Sequence, residues 1–143
     1  MGHASSIALG IKNRKPSTRI WVVDGDGAMI MHMGSMAYIG AVNPRKFIHI
    51  VINNASHETV GGMPTAASKI NPCKIAKACG YKKVYSVSTM DELDKTLEKA
   101  LTSNALTFIE IKTNISSRKD LIRPTTTPIE NKTNFMDYLK TLK

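Results

Sequence analysis

The sequence predicts an α/β fold with a doubly wound, mainly parallel sheet that carries helices on both faces. Two observations predict this class: short apolar runs alternate with segments of helical composition, and turn residues follow the apolar runs. A chain of 143 residues with 42% hydrophobic content suits one domain over residues 1–143. In sheets of this class, ligands bind beyond the carboxyl ends of the strands.

The apolar runs are predicted as strands, and the segments between them as helices. The strands are expected at residues 20–23, 47–52, 84–87 and 106–111, the first of them buried. The helices are expected at residues 3–12, 28–42 and 72–79, from residue 88 onward, and at 135–142. Ser88 and Asp91 form a capping-box pattern at the start of the fourth helix. Residues 113–130 are predicted to form a polar arm.

The composition argues against several classes of protein. The net charge is +9, and residues 69–83 are rich in lysine and lack acidic residues. Because aromatic residues are not interleaved as in nucleic-acid-binding surfaces, we expect a solvated face and no nucleic-acid partner. We find no apolar run that could span a membrane and no signal-peptide pattern, which favours a cytoplasmic protein. Cys73 and Cys79 would not share a helix face, so no disulfide is expected between them.

Polar side chains follow the first two predicted strands, at the point where each strand ends. Asp26 follows the first strand and Asn54 the second, and parallel strands place both residues at one edge of the sheet. A carboxylate together with a carboxamide oxygen suits Mg²⁺ or Ca²⁺ and leaves metal positions for water or phosphate. Gly25 and Gly27 allow close approach of the backbone to a ligand. The helix beginning near Ala28 offers free N–H groups to an anion.

These residues form a two-part motif that resembles the signature of thiamine-diphosphate enzymes. Its halves are Gly-Asp-Gly at residues 25–27 and Asn-Asn at residues 53–54, separated by residues 28–52. Together with residues 2–10, the wider segments 24–34 and 53–65 resemble the thiamine-diphosphate-dependent decarboxylases. Within that family the segments are most similar to phosphonopyruvate decarboxylase, and then to the beta subunit of sulfopyruvate decarboxylase.

The resemblance implies thiamine diphosphate and Mg²⁺ as cofactors, and it implies roles for individual residues. Asp26, Asn54 and the backbone carbonyl of Ser56 are expected to hold the metal. The other expected cofactor contacts are Met1, which would support the bent cofactor, Gly2, Gly25, Gly27, Ala28 and His57. His3 and His57 are the candidate catalytic residues facing the substrate.

The resemblance also implies a reaction and a partner. The substrate would be a small 2-oxo acid, most simply 3-phosphonopyruvate, which would yield phosphonoacetaldehyde and CO2. The family needs a pyrimidine-binding domain or subunit, so we expect a C-terminal part of a longer chain or one subunit of a split enzyme. We expect a homo- or hetero-oligomer in which this chain alone is inactive.

Other interpretations remain open from the residues themselves. Asp24 after an apolar strand resembles the nucleophile of haloacid-dehalogenase-type phosphatases, with Asp26 as general acid/base. A non-catalytic, basic domain that binds anions or assembles with other subunits is a second alternative. His32, on a predicted core helix, and His49, in a predicted buried strand, are interpreted as core histidines satisfied by backbone groups.

Overall fold

The structure, a computed structural model, describes residues 1–116, 118 and 120–142. Helices and strands alternate along most of this length. In chain order they are α1 (Ala4–Arg14), β1 (Ile20–Gly25), α2 (Asp26–Met31), α3 (Gly34–Val42), β2 (Phe47–Asn53), β3 (Ser56–His57), β4 (Met63–Pro64), α4 (Pro72–Ala78), β5 (Lys83–Val87), α5 (Met90–Thr102), β6 (Thr107–Lys112) and α6 (Pro128–Thr141). No described helix has both the length and the apolar character needed to cross a membrane.

The main sheet has the strand order β1-β2-β6-β5, and all of its neighbouring strands are parallel. β2 and β6 occupy the centre, which explains their nearly continuous apolar sequences, since a central parallel strand is covered on both faces. β3 and β4 form a separate antiparallel pair. The predicted parallel sheet is confirmed.

Each face of the sheet has its own hydrophobic cluster. One cluster joins residues of α1 to α4 to the sheet and includes Met36, Ile39 and Phe108. The other joins α5 to the opposite face and includes Ile48 and Ile109. Helices therefore cover both faces, as a doubly wound sheet requires.

The expectation that the first strand is buried is correct for only one of its faces. Val22 is 6% exposed, whereas Val23 is 57% exposed and Trp21 is 36% exposed. β1 is one of the two edge strands, and the cluster under α5 contains none of its residues. Alternate side chains of β1 consequently lack a packed layer above them.

The helix predicted at residues 28–42 is divided into α2 and α3 at His32 and Met33. Gly40 marks a close approach between α3 and the end of α4. A Cβ atom on Gly40 would lie 1.6 Å from the carbonyl oxygen of Cys79. The glycine is needed because backbone occupies the space of a side chain.

The capping box predicted at Ser88 and Asp91 is wrong by one residue. The Thr89 hydroxyl accepts from the Glu92 amide at 3.3 Å, and the Glu92 carboxylate accepts from the Thr89 amide at 3.3 Å. The Ser88 amide also donates to Glu92, at 2.8 Å. Because both Thr89 and Glu92 have the side chains that a capping box needs, this later pair begins α5.

The predicted polar arm at residues 113–130 and the helix at 135–142 also need correction. α6 begins at Pro128 because Thr127 and Glu130 form a second capping box with proline at the first helical turn. The arm therefore ends before Pro128. Residues 117, 119 and 143 lie outside the described part of the chain.

Candidate metal and diphosphate site

The carboxyl ends of β1 and β2 lie side by side. Gly25 is the register partner of Ile52, and the next residues of the two segments are Asp26, the first residue of α2, and Asn53, which leads to Asn54. The parallel pairing of these two strands thus brings the two halves of the sequence motif to one edge of the sheet.

A cleft of about 420 Å³ opens at this edge. Every predicted cofactor contact except Gly2 lines it. The lining consists of Met1, Gly25, Asp26, Gly27, Ala28, Ile52, Asn54, Ser56, His57, Glu58 and Thr59. Gly2 is buried outside this lining, where a Cβ atom would fall 2.5 Å from the Ala28 carbonyl oxygen.

Asp26 is a buried carboxylate, with 3% of the residue exposed. Its Oδ2 accepts a short hydrogen bond from the Thr65 hydroxyl. Among the described residues no lysine, arginine or histidine forms an ion pair with it. A buried negative charge is costly unless it is paired or binds a metal, so this environment suits a cation.

Asn54 begins a tight turn that is held by side chain to backbone contacts. Its Oδ1 accepts from the Ser56 amide at 3.0 Å, and its Nδ2 donates to Glu58 Oε2 at 3.1 Å. Ala55, between Asn54 and Ser56, has a φ of 55°, in the left-handed region that non-glycine residues seldom adopt. The Ala55 carbonyl accepts from the Thr65 amide at 2.9 Å. The turn is thereby fixed against the segment that also contacts Asp26.

The donor set at this cleft fits Mg²⁺ with a diphosphate. The described residues contain no cluster of three or more His, Cys, Asp or Glu side chains placed to hold a metal. A metal here would therefore rely on few carboxylates together with amide and backbone oxygens, and such a set leaves positions for phosphate oxygens. The buried Ser56 hydroxyl has no hydrogen-bond partner in the described part of the chain, which leaves it available to a ligand.

The two candidate catalytic histidines occupy different places. The His57 ring lies against Gly27: a Cβ atom there would fall 2.6 Å from His57 Cε1, so the glycine makes room for the imidazole beside the cleft. His3 is exposed and outside the cleft lining, and its ring centroid lies 4.0 Å from that of His32. His32 is itself exposed, so its interpretation as a core histidine is wrong.

Asp24 points into the hydrophobic core and is 5% exposed. His49 Nε2 lies 3.1 Å from Asp24 Oδ2, and His49 Nδ1 lies 3.1 Å from the Tyr81 hydroxyl. Burial raises the pKa of the Tyr81 phenol, which keeps it protonated. His49 is thus a core histidine as expected, but side chains rather than backbone satisfy it. The buried Asp24 carboxylate is poorly placed to act as a phosphatase nucleophile.

Two side chains behind the cleft escaped the sequence analysis. Thr65 contacts Asp26, and Glu110 accepts from Asn53 Nδ2 at 2.7 Å. The acidic residue inside the apolar strand at 106–111 was the available signal for Glu110. Thr65 lies in an irregular loop where no spacing rule indicated it.

Residues 1–111 match the family model of the thiamine pyrophosphate enzyme, C-terminal TPP binding domain. The chain belongs to this family. The assignment confirms thiamine diphosphate as the cofactor, bound in such domains through Mg²⁺. It also agrees with the two-part motif that converges at the cleft.

Curated relatives of this TPP-binding domain include decarboxylases. A phosphonopyruvate decarboxylase of Streptomyces viridochromogenes is 34% identical over 99% of this chain and 35% of its own length. The sulfopyruvate decarboxylase subunit beta of Methanocaldococcus jannaschii is 32% identical over 98% of this chain and 73% of its own length. The domain therefore spans about a third of the first relative and about three quarters of the second.

A solved structure supports the fold of the TPP-binding domain. It is an X-ray structure of a candidate thiamin diphosphate-dependent enzyme isolated from Mycobacterium smegmatis, with a TM-score of 0.62 and 19% identity. The match covers 80% of this chain and 21% of that one. At this identity the likeness supports the fold alone.

Proposed function

We propose that this TPP-binding domain anchors Mg²⁺ and thiamine diphosphate in a 2-oxo-acid decarboxylase, and that its substrate is 3-phosphonopyruvate. The observation that carries the proposal is the convergence of Asp26, Asn54 and Ser56 at one cleft, in a chain of this family. Two phosphonopyruvate decarboxylases, 34% and 33% identical, support the choice of substrate. The products would be phosphonoacetaldehyde and CO2.

The metal ligands in this proposal are a carboxylate oxygen of Asp26, Oδ1 of Asn54 and the backbone carbonyl of Ser56. Asn54 Oδ1 already accepts from the Ser56 amide at 3.0 Å. A carbonyl oxygen has two lone pairs, so the same atom has capacity for a metal as well. The existing hydrogen bond would thus orient the ligand oxygen before the metal binds.

When bound, thiamine diphosphate would supply the nucleophilic carbon and the electron sink that decarboxylation of a 2-oxo acid requires. The chain itself binds and orients. The amides of Gly27 and Ala28 would donate to the diphosphate, and Met1 would support the cofactor from below. His57, which lines the cleft, would donate to the substrate anion, with His3, outside the lining, as a second candidate.

The partner in this proposal is a pyrimidine-binding domain, on the same longer chain or on a separate subunit. The beta-subunit relatives from two methanogens support the split arrangement. They also favour a second candidate substrate, sulfopyruvate. A cytoplasmic location completes the proposal.

Calorimetric titration of thiamine diphosphate, with and without Mg²⁺, tests the anchoring role in the assembled enzyme. We expect binding that depends on Mg²⁺ and is lost in Asp26→Asn, because the buried metal ligand is replaced by a neutral amide. Asp91→Asn, on the exposed face of α5, is the matched control and should bind normally.

The same titration separates the alternatives. Salt-sensitive binding that ignores both Mg²⁺ and Asp26→Asn would contradict the proposal and favour the anion-binding module. Assays with 3-phosphonopyruvate and sulfopyruvate then decide the substrate, since the proposal requires faster release of CO2 from the phosphonate.

A further inference from the structure

Glu110 is an acidic side chain inside a central, otherwise apolar strand. It lies on β6 between β2 and β5 and is 4% exposed. A buried carboxylate is unfavourable unless several hydrogen bonds compensate for the loss of water. No cationic side chain of the described residues forms an ion pair with it. Packing alone therefore does not account for this residue.

Three donors surround the Glu110 carboxylate. Asn53 Nδ2 lies 2.7 Å from Oε1, while the Ser86 hydroxyl at 2.8 Å and the Cys73 thiol at 3.5 Å reach Oε2. Burial, and then the Glu110 carboxylate itself, raises the pKa of the Cys73 thiol to about 11. The thiol stays protonated and remains a donor. The two carboxylate oxygens thus have separate partners.

The contact with Glu110 fixes the orientation of the Asn53 side chain. An amide group can rotate by half a turn and exchange its donor and acceptor, but Glu110 Oε1 accepts from Asn53 at 2.7 Å, which only the amide nitrogen can satisfy. Asn53 must therefore present Nδ2 to Glu110, which leaves Oδ1 to accept from the Ala55 amide at 3.0 Å. Glu110 in this way determines which atom of Asn53 holds the turn.

Ala55 connects this contact to the three residues that are proposed to hold the metal. Its left-handed φ of 55° is unfavourable for alanine and persists only if its surroundings impose it. Its amide is held by Asn53, and its carbonyl by the amide of Thr65, whose hydroxyl contacts Asp26. The next amide, that of Ser56, is held by Asn54 Oδ1.

We propose that Glu110 is a positioning residue of the metal site and acts through Asn53. It does not line the cleft; it lies behind the turn in a neighbouring cavity of about 380 Å³, together with Asn53, Asn54 and Ala55. By fixing Asn53 it holds the turn that presents Asn54 Oδ1 and the Ser56 carbonyl to Mg²⁺. This inference rests on the proposed function, which supplies the metal.

Mg²⁺ affinity at saturating thiamine diphosphate tests the proposal in the assembled enzyme. We expect Glu110→Ala and Asn53→Ala each to weaken Mg²⁺ binding about tenfold, as is usual when a partner of a metal ligand is removed. The double variant should be no weaker than either single variant, because both changes release the same turn. The conservative Glu110→Gln, which keeps an acceptor, should recover most of the affinity.

Ser86→Ala is the matched control, since it removes a donor from the same carboxylate without touching Asn53. It should leave Mg²⁺ affinity unchanged. Losses that multiply in the double variant, or an equal loss in Ser86→Ala, would overturn the proposal. If Glu110→Ala does not fold, a folded Asn53→Ala with unchanged Mg²⁺ affinity would overturn it too.

Amide hydrogen exchange provides a measurement that needs no ligand. The Ala55 and Ser56 amides should lose protection in Glu110→Ala and Asn53→Ala but keep it in Ser86→Ala. Wild-type protein that binds no Mg²⁺ would contradict the proposed function, whereas unchanged exchange at these amides would contradict the positioning role.

Discussion

At the level of single residues, the buried carboxylate of Asp26 is the main reason to expect a cation at the cleft. Its carboxylate is buried, accepts from the Thr65 hydroxyl and has no ion-pair partner in the part of the chain that the structure describes. One neutral hydrogen bond compensates only part of the cost of removing a charge from water. The environment of Asp26 therefore favours binding of a metal cation over an ion pair with another side chain.

Gly27→Ala tests the contact between the two sides of the cleft. The new Cβ atom would fall 2.6 Å from His57 Cε1, so the imidazole would have to leave its place. Overpacking of this kind costs about 1–3 kcal/mol. Because the displaced imidazole is a predicted cofactor contact, we expect thiamine diphosphate affinity to fall about tenfold, or about 1.4 kcal/mol, in titration calorimetry. Gly10→Ala, with no atom within 4 Å of its Cβ position, is the control. Equal affinities in both variants would contradict the role given to His57.

The residues that the sequence analysis found are those at strand ends with distinctive chemistry. Asp26 and Asn54 could be predicted because parallel strands bring their carboxyl ends together. Thr65 could not be predicted, because its contact with Asp26 depends on how an irregular loop folds back. The partners of His49 could not be predicted either, since Tyr81 contacts it only through tertiary packing.

At the level of elements, the sequence predicts which segments form helices and strands better than it predicts where each one begins and ends. Strands and the existence of helices followed from apolar patterns, but the break between α2 and α3 and the first turn of α5 did not. Thr89 and Ser88 both have capping side chains, but only Thr89 is followed three residues later by a glutamate, Glu92, which completes the capping box. Local patterns thus place helices better than they place helix ends.

Gly40→Ala tests the close packing of α3 against the residues that follow α4. Its Cβ atom would lie 1.6 Å from the Cys79 carbonyl oxygen, which is backbone and cannot rotate away. We expect thermal or urea unfolding to show a loss of about 3 kcal/mol, at the upper end of the usual cost of overpacking. Gly34→Ala is the control, because no atom lies within 4 Å of its Cβ position. A fully stable Gly40→Ala protein would show that α3 and α4 are spaced differently.

On the scale of the whole molecule, we propose that this chain supplies only part of an active site. It spans about a third of the phosphonopyruvate decarboxylases that it matches. Every predicted cofactor contact except Gly2 lines the cleft at the carboxyl edge of the sheet, which in our proposal a further domain or subunit completes. The net charge of +9 is favourable for binding an anionic cofactor and substrate.

Reconstitution tests the need for a partner. We expect no release of CO2 from 3-phosphonopyruvate by this chain alone with Mg²⁺ and thiamine diphosphate. Activity should appear when a pyrimidine-binding domain or subunit is supplied, because in our proposal that partner completes the cofactor site. Turnover by the purified chain alone would refute this division of roles.

Crystals of the assembled enzyme grown with thiamine diphosphate and Mn²⁺ in place of Mg²⁺ test the central claim most directly. We predict an anomalous peak at the carboxyl ends of β1 and β2, about 2.1 Å from Asp26, Asn54 Oδ1 and the Ser56 carbonyl, as for Mg²⁺. A peak bound by other residues, or a diphosphate seated without a metal at this cleft, would contradict the account.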